Sequence, residues 1–161
     1  MSAGTRLNLN WLELKIPPPL LALLSAGMLW WLAQQLPDSW ALPFNSLYVG
    51  LIVAGLGMVF DLSALLAFRR ARTTVNPLQP ASSRALVTSG VYRYTRNPMY
   101  LGLILVLSGW TLYLGQWLLL PLVGLVMLYL TRFQIMPEER ILTPLFGEEY
   151  RTWMCQVRRW L

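Results

Sequence analysis

Histidine is absent from this chain. That removes the commonest general base and the commonest transition-metal ligand together. Neither a histidine-ligated metal centre nor a Ser-His-Asp triad can be assembled within it, and no metal is expected. Cysteine is almost absent as well: Cys155 is the single one. An internal disulfide framework is therefore excluded, and the lone thiol reads as incidental. Charge is scarce too, at 12% of 161 residues, about half of what a soluble domain carries. Acidic residues are the rarer sign, 7 against 13 lysines and arginines.

Apolar residues take the place of charge. They make up 56% of the chain, and the mean hydropathy is +0.49. Composition and length together predict an all-α integral membrane bundle, a single domain over residues 1–161 with about four transmembrane helices. Residues 1–16 mix Arg6, Glu13 and Lys15 with leucines and Trp11, and read as an interfacial segment. Pro17-Pro18-Pro19 then opens a first span over 17–36, since proline is tolerated where a helix begins. A cleaved signal peptide fits poorly with Glu13, the triple proline and the Trp30-Trp31 pair. A second span is expected over 44–68, interrupted by Asp61. Its Gly50, Ala54, Gly55 and Gly57 offer a surface for close helix approach, and hence for a homo-oligomer. The third and fourth spans, 98–114 and 117–136, are joined by Gly115-Gln116 and must form a tight hairpin, which Pro121 and Gly124 are expected to bend. Residues 69–97 form the one long loop, and 137–161 an amphipathic region expected to lie on the membrane surface and cap the hairpin.

Apart from Arg132 near the end of the fourth span, the basic residues fall in the N-terminal segment, the 69–97 loop and the C-terminal region. The turns at 37–43 and 115–116 carry none. The positive-inside rule therefore places both termini and the loop in the cytoplasm, in a bacterial inner membrane. The net charge of +6 is explained by orientation rather than by nucleic acid. Trp40, Trp110 and Trp117 fit one interfacial belt, and Trp11, Trp153 and Trp160 the other.

Two clusters of opposite sign close apolar runs on the same side. The first is Gly90-Val91-Tyr92-Arg93-Tyr94-Thr95-Arg96-Asn97-Pro98-Met99-Tyr100-Leu101-Gly102 and the second is Pro137-Glu138-Glu139. A guanidinium holds a carboxylate or phosphate bidentately, while Asn97 before Pro98 reads as a helix N-cap. Arg69, Arg70 and Arg72 read as membrane anchors, and Glu148 and Glu149 as a solvated helix start. Asp61 is an acid inside a span, which calls for a partner; a functional role and an ion pair with a loop arginine are both open.

These motifs, with Leu86-Val87-Thr88-Ser89 before them and Phe146-Gly147-Glu148-Glu149-Tyr150 after, resemble the isoprenylcysteine carboxyl methyltransferase family, which is similar in its core to phosphatidylethanolamine N-methyltransferases. The resemblance covers about half the chain. It implies a small integral membrane methyltransferase that uses S-adenosyl-L-methionine. It further implies that Arg84, Ala85, Leu86, Val87 and Tyr92 line the cofactor, and that Asn97, Pro98, Met99 and Tyr100 occupy its His-Pro-x-Tyr motif. Glu138 falls on the cofactor-contacting glutamate, with Glu139 beside it. Arg96, Asn97, Tyr100 and Glu138 are the residues expected to carry catalysis. Where the family has a substrate-binding arginine stands Gln134, with Arg132 two residues earlier. Asn97 replaces the family's histidine and cannot titrate near neutral pH. The expected acceptor is a lipid-like or hydrophobic molecule bearing a carboxylate or amine, supplied by the surrounding membrane lipid. A non-catalytic membrane scaffold or lipid-binding protein that retains the fold is the alternative. Transport would need polar residues at the span centres, which are nearly lacking.

Overall fold

A computed structural model describes residues 9–37, 41–42, 46–71 and 85–161. The described residues are helical, with no strand among them. Five α-helices follow in order: α1 (Pro18–Ala33), α2 (Ser46–Arg70), α3 (Pro98–Tyr113), α4 (Leu120–Leu130) and α5 (Met136–Gln156). Short 3-10 turns at Leu9–Leu12, Gly90–Arg93 and Trp117–Leu119 connect or precede them.

Two helical runs are long and apolar enough to cross a membrane, Ser46–Arg70 and Trp117–Gln156; Pro18–Ala33 and Pro98–Tyr113 are shorter apolar helices. Their outer faces are oily. Ile52, Leu56, Val59 and Leu62 of α2 and Leu23, Leu24 and Met28 of α1 are all exposed, as hydrocarbon-facing side chains should be. Burial therefore cannot come from an apolar stripe alone, and close packing of small residues takes over.

That packing joins α2 to α3. Gly50 lies against the backbone of Gly109 and Tyr113, and Gly57 against Gly102 and Val106. A Cβ on Gly57 would meet the Gly102 carbonyl at 2.6 Å, and one on Gly109 would meet the Ala54 amide at 2.5 Å. The two glycine pairs sit one heptad apart on antiparallel helices. The surface expected to pair with another copy is thus filled by the chain's own α3. Gly55 faces open space and takes no part. Replacing Gly57 by leucine should cost at least about 1–3 kcal/mol, as overpacking does, read as a lower melting temperature in detergent. Gly55→Leu is the control that should melt like the wild type.

Gly115, at φ +76°, closes α3; its N–H donates to the Leu112 carbonyl (2.9 Å), and its own carbonyl accepts from Leu42 N–H (2.9 Å). Pro121 lies in the first turn of α4 and Pro137 in that of α5. Between the two helices comes a π-helical turn over Thr131–Ile135. Pro137 has no N–H to offer the Phe133 carbonyl. That carbonyl instead accepts from Leu14 N–H at 3.0 Å. Helix continues through the π turn into α5, up to Gly147 (φ 55°), where the axis kinks.

The same π turn clamps the N-terminal segment. Gln134, 1% exposed, donates from Nε2 to the Ile16 carbonyl at 2.6 Å. Arg132 reaches Glu13 at 2.6 Å, and Arg140 bonds the other carboxylate oxygen. Burial works against ionisation of Glu13, but the hydrogen bonds from Arg132 and Arg140 outweigh it and hold its carboxyl below the usual range.

The C-terminal region packs on the loop and α2. Tyr150, Trp153 and Val157 form a buried cluster with Ala64 of α2 and with Val87 and Tyr92 of the loop. Trp153, expected in an interfacial belt, is 8% exposed, and its indole N–H donates to the Tyr92 carbonyl at 3.3 Å.

Candidate active site

Helices α1 and α2 both pack on α3 but scarcely on one another. The cleft between them widens into a cavity of about 940 Å³, within the range that small-molecule sites occupy. Its walls are unequal. Toward Trp110 they are apolar, with Ala22, Leu23 and Ala26 of α1 facing Leu103, Val106 and Leu107 of α3. At the other end Arg96, Asn97, Tyr100, Glu138, Glu139 and Tyr150 converge. Trp110 closes the apolar end by donating its indole N–H to the Ala26 carbonyl at 3.1 Å. It is therefore part of the cavity wall.

The polar end is built from two clusters that are distant in sequence. Gly90, at φ +64°, begins the 3-10 turn that buries Tyr92. Tyr92 stacks edge-on against Phe68, with centroids 5.5 Å apart. Burial pushes its phenol well above the usual range, and the negative charge of Glu138 adds to the shift. It therefore stays a neutral hydroxyl. Thr95 is wholly buried and bonds the Arg159 carbonyl at 3.3 Å.

Asn97 occupies the N-cap position of α3 without making a side-chain cap. Its Nδ2 donates instead to the Arg159 carbonyl at 2.9 Å. Local sequence favoured the cap; a carbonyl from the far end of the chain competes for the amide and wins. With one N–H of the amino group so committed, the side chain keeps its second N–H and its Oδ1 acceptor for a ligand.

Glu138 and Glu139 are adjacent in sequence but differently occupied. Glu139 receives two hydrogen bonds from Arg159, at 3.1 and 2.7 Å, and lies 3.1 Å from Arg96 Nη1. Those bonds raise the Arg159 guanidinium's affinity for its proton, against a smaller opposing effect of burial. Glu138 accepts a short hydrogen bond from the Tyr100 hydroxyl, and no cation pairs with it among the described residues. Arg96 is close enough to Glu139 to count as its ion pair, yet it is not aligned to donate. Its Nε and Nη1 are buried without a hydrogen-bond partner. A buried guanidinium with unused donors is an anion receptor, and a carboxylate with one donor has spare acceptor positions.

Of the residues singled out from the sequence, Ala85, Leu86, Val87, Tyr92 and Arg96 line this cavity, and so does the whole run Asn97, Pro98, Met99 and Tyr100 with Glu138 and Glu139. Arg84 lies outside the described residues, as do Arg72 and Trp40. Arg132 and Gln134 do not line it. Their side chains turn toward Glu13 and Ile16, because the π turn that carries them faces the N-terminal segment.

Sequence reasoning missed the C-terminal strap. Val157 leaves helix for extended backbone, and the following residues cross back over the site. Arg96 N–H donates to the Arg158 carbonyl at 3.0 Å, and Trp160 donates to Thr131 Oγ1 at 3.2 Å. The one local signal was Arg158-Arg159 beside Trp160, which reads equally well as a membrane anchor.

The model of a phospholipid methyltransferase family matches residues 45–149, more than half of the chain. An uncharacterized protein of Haemophilus influenzae is 48% identical over 63 residues, which cover 39% of this chain and the whole of that protein. No solved structure matches the chain.

Proposed function

The chain belongs to the phospholipid methyltransferase family, and from that premise we propose that it transfers a methyl group from S-adenosyl-L-methionine to a lipid-like or hydrophobic acceptor at the cytoplasmic membrane interface. Its membership makes it a membrane methyltransferase; the cofactor, the acceptor and the orientation are our reading. One observation carries it. The cavity joins a polar end, lined by Arg96 and Glu138, to an apolar cleft between α1 and α2.

The polar end suits this cofactor on chemical grounds. The unused Nε and Nη1 donors of Arg96 fit its carboxylate. The spare acceptor positions of Glu138 fit its ribose hydroxyls or its ammonium. Oδ1 of Asn97 can accept one further N–H. Tyr92, with Phe68 beside it, offers aromatic faces for a purine. When bound, S-adenosylmethionine supplies a sulfonium-activated methyl group, and no metal is required. The protein then contributes position and exclusion of water. Tyr100 holds Glu138, the Arg159–Glu139 pair holds the floor beneath Arg96, and Val106, Leu107 and Trp110 keep the acceptor's tail dry. Asn97 cannot move a proton near neutral pH, so any proton the acceptor releases must leave by another group.

The cleft between α1 and α2 gives an acceptor already dissolved in the bilayer a sideways route to this site. Basic residues cluster at the same end of the bundle as the polar residues, which favours a cytoplasmic position where soluble cofactor is available.

Titration with S-adenosylhomocysteine in detergent tests the reading. Saturable one-site binding is expected, and a folded preparation that binds none would end it. Membranes incubated with methyl-labelled cofactor should then yield a labelled lipid-soluble product. Binding without any labelled product would favour the scaffold alternative, which the structural use of the Asn97 amide also favours.

A further inference from the structure

One charged side chain on the cavity wall has no task in the mechanism so far. Asp61 lies in α2, nine residues before its end at Arg70, which is about 14 Å along the helix axis. It is partly buried and lines the same cavity as Arg96 and Glu138. The space it occupies exists because residue 102 is glycine: any side chain there would collide with the Asp61 carboxylate. Among the described residues, none pairs with that carboxylate or donates a hydrogen bond to it.

The surroundings do not relieve the charge. Leu65 precedes the next turn of α2, and α3 presents Leu103 and Val106. The α1 wall is Pro18, Pro19, Ala22, Leu23 and Ala26, none of which is charged. From the loop and α5, Arg96 faces Glu139 and Glu138 is itself an acid. An ionised carboxylate at this depth is costly unless a cation meets it. Among the described residues no cation meets the Asp61 carboxylate, Arg96 being turned to Glu139, and that leaves the ligand to bring one.

We infer that Asp61 determines acceptor specificity: its carboxylate binds the ammonium head of an amphipathic amine whose tail lies along the α1–α2 cleft, and it repels a carboxylate acceptor of the same shape. The inference rests on the methyltransferase reading and narrows its acceptor to an amine. It also supplies the proton acceptor that Asn97 cannot be. An N–H bond of the ammonium breaks as an O–H bond forms on Asp61. The electron pair stays on nitrogen and is then free for the methyl group. The carboxyl loses its proton to water once the product has left.

The test uses the full chain in nanodiscs of uncharged lipid, with dodecylamine and dodecanoate as probes of equal tail length. The wild type should bind dodecylamine roughly ten- to a hundredfold more tightly than dodecanoate, as a hydrogen bond to a charged group would give. Asp61→Asn should erase that preference, and Asp61→Glu should keep its sign. Asp61→Asn should still bind S-adenosylhomocysteine saturably, which shows that its cavity is intact. Equal binding of dodecylamine by wild type and Asp61→Asn overturns the inference. So does a lower melting temperature of ligand-free Asp61→Asn with its amine preference intact, because Asp61 would then be pairing with the chain itself. If the wild type binds no S-adenosylhomocysteine, the cofactor reading fails separately, and the amine preference is still measured.

Discussion

Glu138→Gln is expected to weaken S-adenosylhomocysteine binding by at least roughly tenfold to a hundredfold, while the protein melts no lower than the wild type. The first half follows from the partners of Glu138. Its carboxylate takes one hydrogen bond, from Tyr100, and keeps acceptor positions turned into the cavity. A charged hydrogen bond lost from a desolvated site is worth about 1.5–3 kcal/mol, which is the stated range for one bond. The second half follows from the same isolation. Glu139 is neutralised by two arginines, whereas Glu138 has no cation beside it among the described residues. Burial, with the charge of Glu139 adding, raises the Glu138 carboxyl to about 8, so without ligand it is largely neutral near pH 7; glutamine keeps that neutral state and still accepts from Tyr100. Loss of ligand with equal or greater stability is the mark of a residue kept for binding. Calorimetric titration and thermal melting of the same preparation read both halves. Unchanged affinity would remove Glu138 from the site, and lost affinity with a large drop in melting temperature would make it structural.

The neighbouring acid should behave in the opposite way. Glu139→Ala is expected to destabilise the protein by about 3 kcal/mol, toward the lower end of what breaking a buried ion pair costs. Two guanidiniums lose their carboxylate together. Arg96 retains only 12% exposure to compensate, while Arg159 at 35% recovers more of its hydration, and that is why the low end applies. In a chain of this length the loss corresponds to a fall in melting temperature of roughly 6–12 °C. Cofactor affinity should fall as well, since Arg96 loses the carboxylate that holds it at the polar end of the cavity. A double-mutant cycle with Arg159→Met isolates the pair: the two substitutions together should cost clearly less than their sum. Strict additivity, or a melting temperature equal to the wild type, would show that the strap does not bear on the site.

Contrasting roles for two adjacent glutamates could not be read from Pro137-Glu138-Glu139, because what separates them is a strap from residues 157–161. The same holds for Asn97. Asparagine before a helix-starting proline is a local pattern, and the local reading was a cap. The Arg159 carbonyl that takes its amide lies 62 positions away. Arg132 and Gln134 were assigned from their place before the acid pair, and they point to the N-terminal segment instead for a similar reason. Pro137 frees a carbonyl, the helix relaxes into a π turn, and the face bearing those residues is given to the N-terminal segment.

What followed from the order of residues alone was everything governed by short-range chemistry. Long apolar runs demand a helical membrane bundle, because backbone polar groups must be satisfied within each segment. Gly115-Gln116 forces a hairpin, and arginines beside tyrosines must end where apolar packing ends. The tertiary structure decided the rest. It left α1 and α2 apart on α3 so that a cavity opens between them, brought Asp61 to that cavity through the Gly57–Gly102 contact, and gave two adjacent acids different partners, Tyr100 for Glu138 and two arginines for Glu139. Those outcomes depend on pairings between distant segments, and a single chain carries no local mark of which partner each polar group will find.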